Sequence, residues 1–222
     1  YSNGLWYDVG NRDGVFVNNW IEKVGDLERY RQDERLWASY SGFFYEISSD
    51  AVCAGNVFVN NAQGLLVLNS ANVDICNNTF INSTASFGRN ERGDDTDHFG
   101  WHIKTGPAVD ARFNHTFKNN LIYMEKEFFR PAMHAWQPAV MCERLNKPQL
   151  SDMNNNLYLV EGSEPKASLI NWSPVSNDTC SLLINEPAAL TALYPAFETE
   201  SVMLNEQPKT VFADFAGLNY GL

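Results

Sequence analysis

The sequence predicts an all-β fold, a right-handed parallel β-helix of about five coils, with long loop insertions and a short C-terminal helix and strand as a cap. Two observations predict it. The first is an asparagine that recurs in matching surroundings at Asn19, Asn56, Asn78, Asn120 and Asn156. The second is a glycine-led apolar strand that recurs at Gly4, Gly42 and Gly64.

The asparagine segments superpose without gaps. They read Val15-Phe16-Val17-Asn18-Asn19-Trp20-Ile21, Val52-Cys53-Ala54-Gly55-Asn56-Val57-Phe58 and Asp74-Ile75-Cys76-Asn77-Asn78-Thr79-Phe80, followed by shorter matches at Asn119-Asn120-Leu121-Ile122 and Asn155-Asn156-Leu157-Tyr158. The intervals are 37, 22, 42 and 36 residues. The shortest is close to one bare coil, and the rest are longer by 15, 20 and 14 residues. A buried amide both donates and accepts, so a column of asparagines satisfies backbone groups from coil to coil. Two positions later runs an apolar column of Ile21, Phe58, Phe80, Ile122 and Tyr158, spaced by about 4.8 Å per strand.

The glycine-led strands read Leu5-Trp6-Tyr7-Asp8-Val9, Phe43-Phe44-Tyr45-Glu46-Ile47 and Leu65-Leu66-Val67-Leu68-Asn69. Period-2 alternation turns Leu5, Tyr7 and Val9 to one face, stacked on Phe43, Tyr45 and Ile47. Trp6, Asp8, Phe44 and Glu46 then share the other face.

These registers divide the chain into coils over 1–160, with insertions at 24–41, 85–114 and 125–153, and a terminal coil with its cap over 161–222. Asn185-Glu186-Pro187 reads as a capped helix start that Pro195 ends. Val211–Phe215 reads as a closing strand. Tyr1–Trp6 already reads as a strand edge, which predicts further coils before it, or a partner chain beside it.

The 222 residues carry 27 acidic against 16 basic side chains, a formal net charge of −11. Nucleic acid and anionic membranes are disfavoured as partners, because both need a positive footprint. The acidity suits solubility, or a divalent cation such as calcium. No run of 18 apolar residues exists. Of the four cysteines, Cys53 and Cys76 fall one position apart on neighbouring coils and should point to opposite sides, which disfavours a bridge. Cys142–Cys180 is left open as a pair. The cysteine spacing fits no zinc pattern.

Candidate chemistry gathers at three places. Asp8 and Glu46 occupy one position on successive coils, about 5 Å apart by strand spacing. Carboxylates that close must share a proton, bind a cation or meet a base such as Arg12, Arg29 or Arg31. That spacing also suits the carboxyl pair of a retaining glycosidase. The second place is Asp94–His102, where Asp97, His98 and His102 offer acid–base groups and Trp101 a flat apolar platform for a sugar. A metal site there is the weaker alternative, since Gly100 spoils helical spacing of the two histidines. The third is Arg130 with His134 and Trp136, which either lines the same groove or belongs to the core. No nucleotide-binding fingerprint or nucleophile elbow occurs.

On Gly4–Arg12, Gly42–Ser48 and the Asn-Asn pairs, the chain resembles the right-handed parallel β-helix repeat superfamily, the pectate-lyase-like carbohydrate-active proteins, as their C-terminal portion. The resemblance covers most of residues 1–160 and, more loosely, the tail. It implies a polysaccharide or oligosaccharide ligand, a secreted, periplasmic or cell-surface location, and calcium as the cofactor to test. As an enzyme, the chain would be a glycoside hydrolase or polysaccharide lyase. Asp8, Glu46, Asp97, His98 and His102 would then be catalytic, with Trp6, Arg12, Phe44, Trp101, Lys104, Arg130, His134 and Trp136 binding substrate. Elimination would draw on Lys104, Arg12 or Arg130 as base. The alternative is a non-catalytic carbohydrate-binding or cell-surface protein, or a scaffold fragment.

Overall fold

The computed structural model describes residues 3–25, 40–92, 106–162, 166–205, 211–217 and 219–220. Each of the first five circuits of the chain lays one strand in each of three sheets. The first circuit is β1 (Leu5–Tyr7), β2 (Arg12–Val17) and β3 (Trp20–Glu22). Above it lie β4 (Ser41–Glu46), β5 (Ser49–Ala54) and β6 (Val57–Val59), then β7 (Gln63–Leu68), β8 (Ala71–Cys76) and β9 (Thr79–Ile81). Next come β10 (Ala85–Gly88), β11 (His115–Lys118) and β12 (Leu121–Met124), then β13 (Met133–Trp136), β14 (Leu150–Asn154) and β15 (Leu157–Val160). The chain finishes with β16 (Ile170–Trp172), β17 (Leu182–Ile184), the short helix α1 (Pro187–Leu193) and β18 (Val202–Leu204).

The first sheet runs β1-β4-β7-β10-β13-β16-β17, the second β2-β5-β8-β11-β14 and the third β3-β6-β9-β12-β15-β18. Among the described strands every pairing is parallel except β16 with β17, which is antiparallel and ends the first sheet. The architecture is all-β and β-helix-like, with its core enclosed by the three sheets.

The asparagine column forms as a continuous ladder. The side-chain amide of Asn19 donates to Asn56 Oδ1 at 2.9 Å, Asn56 to Asn78 at 3.0 Å, Asn78 to Asn120 at 3.1 Å and Asn120 to Asn156 at 3.2 Å. Each of those four acceptors also takes the backbone N–H of the preceding rung. The residue before each rung explains the Asn-Asn pairs. Asn18, Asn77, Asn119 and Asn155 all have positive φ, and Gly55 takes that place on the second circuit. Asparagine is among the few side chains that tolerate this left-handed corner. Inside the ladder, Phe58 and Phe80 stack at 4.8 Å, and Phe16 stacks on Phe43 at 4.4 Å.

Three expectations need correction. The segment 85–114 is not all insertion, because β10 takes its place in the first sheet. Likewise 125–153 contains β13 and most of β14. Interval counting measures how much chain is added but not where, so the excursions are shorter than those ranges. Pro187 does open α1 as the sequence reads, with Glu186 at the cap position making no side-chain hydrogen bond there. Val211–Phe215 forms no strand. Phe212 is buried against Val59, Ile81, Tyr123 and Leu159 on the outside of the third sheet, and β18 is the strand that pairs beside β15. Cys53 and Cys76 are free, as their register requires. Cys142 and Cys180 form a disulfide.

Candidate functional site

The outward residues of the first sheet run in two rows across its strands. One row is Trp6, Phe44, Leu66, Ser86, His134 and Asn171. The other is Glu46, Leu68, Gly88 and Trp136. Strand alternation therefore brings Trp6, Phe44, Glu46, His134 and Trp136 to one face, as the sequence predicts for the first three. The rings of Trp6 and Phe44 lie parallel, 5.4 Å apart. Phe44 is buried while Trp6 is 49% exposed, so the indole is the accessible top of an aromatic pile.

Glu46 is the chemically distinctive group on this face. It is only 3% exposed. Burial pushes its carboxyl up to about 7, and the nearby Asp8 charge adds to the rise. Arg92, whose Nη1 stands 3.5 Å from Glu46 Oε1, and the Trp6 indole act in the opposite direction. Asp8 itself is exposed, and its Oδ1 accepts the Val9 N–H at 2.9 Å. One carboxyl here is buried and poised near neutrality, and the other lies open to solvent. Paired carboxyls in unlike environments can divide acid and base roles.

Gly88 keeps room for Trp136. A Cβ at Gly88 would lie 2.4 Å from the Trp136 ring, which packs toward Phe44, Leu66 and Leu68. His134 is driven down to about 4, first by burial and then by the Arg130 charge, so its imidazole is neutral at physiological pH. Arg130 sits over the Tyr40 ring at 5.8 Å and donates to the Ala62 carbonyl. Arg12 turns elsewhere and pairs with Asp50 at 3.2 Å. Asp97, His98, Trp101, His102 and Lys104, together with Arg29 and Arg31, lie outside the described residues. Among the described residues, no three His, Cys, Asp or Glu side chains converge on a metal position, and no helix is long and apolar enough to cross a membrane.

Sequence reasoning missed Arg92, because an ion pair between an insertion and a strand two circuits away leaves no local pattern. It also missed Glu198, a second glutamate raised to about 7, again by burial. Glu198 closes the asparagine ladder: Tyr158 Oη donates to its Oε1 at 2.7 Å and Asn156 Nδ2 at 3.3 Å. No family model, no curated protein and no solved structure matches this chain.

Proposed function

We propose that this chain is a carbohydrate-active right-handed parallel β-helix of about five coils, pectate-lyase-like, that degrades a polysaccharide as a glycoside hydrolase or lyase or as part of one. The observation that carries the reading is Glu46: a buried carboxyl near neutrality, beside an exposed carboxylate and an exposed indole. A general acid works best when its pKa lies near the operating pH. Protonated Glu46 would deliver its proton to the leaving oxygen of a glycosidic bond. Asp8, just past the end of β1, would serve as the second carboxyl, and Trp6 would carry a sugar ring on its open face. A secreted, periplasmic or cell-surface location fits the Cys142–Cys180 disulfide, which persists in oxidising compartments. Calcium is the cation to test, with a uronate-bearing polymer as the substrate that would require it.

The experiment is a panel of neutral and acidic glycans incubated with the protein, with and without calcium. New reducing ends without absorbance at about 235 nm signal hydrolysis; ends together with absorbance signal elimination. Asp8→Asn and Glu46→Gln should each slow the active reaction by at least about a hundredfold. Unchanged turnover in both would overturn these roles.

The exposed Trp6 ring, stacked on buried Phe44, favours a second reading, a non-catalytic carbohydrate binder. That reading expects saturable binding without product, lost in Trp6→Ala and kept in Glu46→Gln.

A further inference from the structure

The Arg112 guanidinium is fully buried, and the contacts it makes converge on the segment that carries Arg92. Its Nη1 donates to Asn69 Oδ1 at 3.2 Å and to the Asn90 carbonyl. Its Nη2 donates to the carbonyl of Arg92 itself, and its Nε reaches the Pro107 carbonyl at 3.3 Å. Asparagines complete the frame. Asn90 N–H donates to Asn69 Oδ1 at 2.8 Å, Asn69 Nδ2 returns to Asn90 Oδ1 at 2.9 Å, and Arg92 N–H donates to Asn90 Oδ1 at 3.0 Å. Asn69 is itself the left-handed corner that ends β7. The segment after β10 is therefore tied to a rigid corner of the core, at the residue whose side chain meets Glu46. A planar fork with several fixed donors suits this task, because it holds several carbonyls at set angles.

We propose that Arg112 is a positioning residue: by clamping the Arg92 backbone to the Asn69 corner, it holds the Arg92 guanidinium against Glu46. The inference rests on Glu46 as the proton donor of the proposed site, and it deepens that reading by naming what sets the proton affinity. Among the described residues, the charged and polar groups that face Glu46 are Arg92 from the insertion, Asp8 from the neighbouring strand end and the Trp6 indole. The bonds above give Arg112 a route to Glu46 through the Arg92 backbone.

The test is a carbon-13 NMR titration of the Glu46 side-chain carboxyl, assigned by its loss in Glu46→Gln. Arg92→Gln should raise the Glu46 midpoint by about one unit, since a cation within a few ångströms is removed. Arg112→Lys keeps the buried charge but not the fork, and should raise the midpoint by about half a unit. In the double variant the two shifts should not add, because both act through one guanidinium. If Arg112→Lys does not fold, Asn90→Ala takes its place, removing the acceptor for the Arg92 N–H with the same expected direction. A full additional shift from Arg112→Lys or Asn90→Ala in the Arg92→Gln background would overturn the proposal, as would no shift in either single variant. No glycan enters this readout. Coupling without turnover would therefore leave the positioning role intact and sink the catalytic reading, and turnover without coupling would do the reverse.

Discussion

Glu46 and Glu198 are both 3% exposed and both raised to about 7, yet their surroundings differ in kind. Glu198 sits at the end of the asparagine ladder, held by the Tyr158 hydroxyl, the Asn156 amide and Ser201, with no cation among the groups that shift it. Its Oε2 is buried without a hydrogen-bond partner. The neutral acid suits that environment, and the residue behaves as a structural terminator. Glu46 stands between a guanidinium and a second carboxylate, under an exposed indole. A raised pKa marks burial in both cases. Only the company of opposed charges and an accessible aromatic face makes Glu46 the chemical candidate.

The largest effect expected from this contrast is on stability. Glu198→Ala strips the acceptor from two buried donors, Tyr158 Oη and Asn156 Nδ2, and should cost about 3 kcal/mol in denaturant unfolding. Glu46→Ala removes a carboxyl whose ion pair is to the partly exposed Arg92 guanidinium and should cost less than Glu198→Ala. Equal costs would erase the distinction between terminator and site.

The pH dependence comes next. Both carboxyls titrate at about 7 in the fold against 4.5 unfolded. The fold therefore holds these protons more tightly than the unfolded chain. Stability from them is full below about pH 4.5 and is lost as pH rises through 7, by up to about 3 kcal/mol for each group. Glu198→Gln should gain melting temperature over wild type progressively across that window, and a gap that stays constant from pH 4.5 to 8 would contradict the assignment. The buried His115 and the partly buried His134 oppose this trend. His115 and His134 titrate at about 3 and about 4 in the fold against 6.5. Their contribution is present above pH 6.5 and is lost as pH falls below it.

Gly88→Ala should have a smaller effect. The new Cβ meets the Trp136 ring, which must shift, at a cost of about 1–2 kcal/mol. Thermal melts would register that loss, and fluorescence would report the moved indole. Asn19→Ala should cost least of the ladder positions, under about 1 kcal/mol. Asn19 is exposed and starts the ladder, whereas Asn78 is buried between two rungs. Asn78→Ala should cost several times more in the same melts.

Much of the fold was legible because the parallel stack repeats one side-chain problem on every circuit. Asn19 to Asn156 solve it the same way, and the column from Ile21 to Tyr158 shares their register. The shared face of Trp6, Phe44 and Glu46 followed from alternation alone. The strands β10 and β13 were hidden, because Ala85–Gly88 and Met133–Trp136 lack the leading glycine and the apolar run of β4 and β7. Glu198 was invisible because it ends the ladder with a different side chain, more than 40 residues after Asn156. Arg92 and Arg112 reach their partners across circuits, and no spacing along the chain records such a meeting.

The most direct test of the account compares Glu46→Gln with Glu198→Gln on the glycan that wild type cleaves fastest, read by new reducing ends at a temperature where all three are folded. The account predicts a loss of at least about a hundredfold in Glu46→Gln and near wild-type rates in Glu198→Gln. Equal rates in all three proteins, or no product from wild type on any glycan, would contradict it.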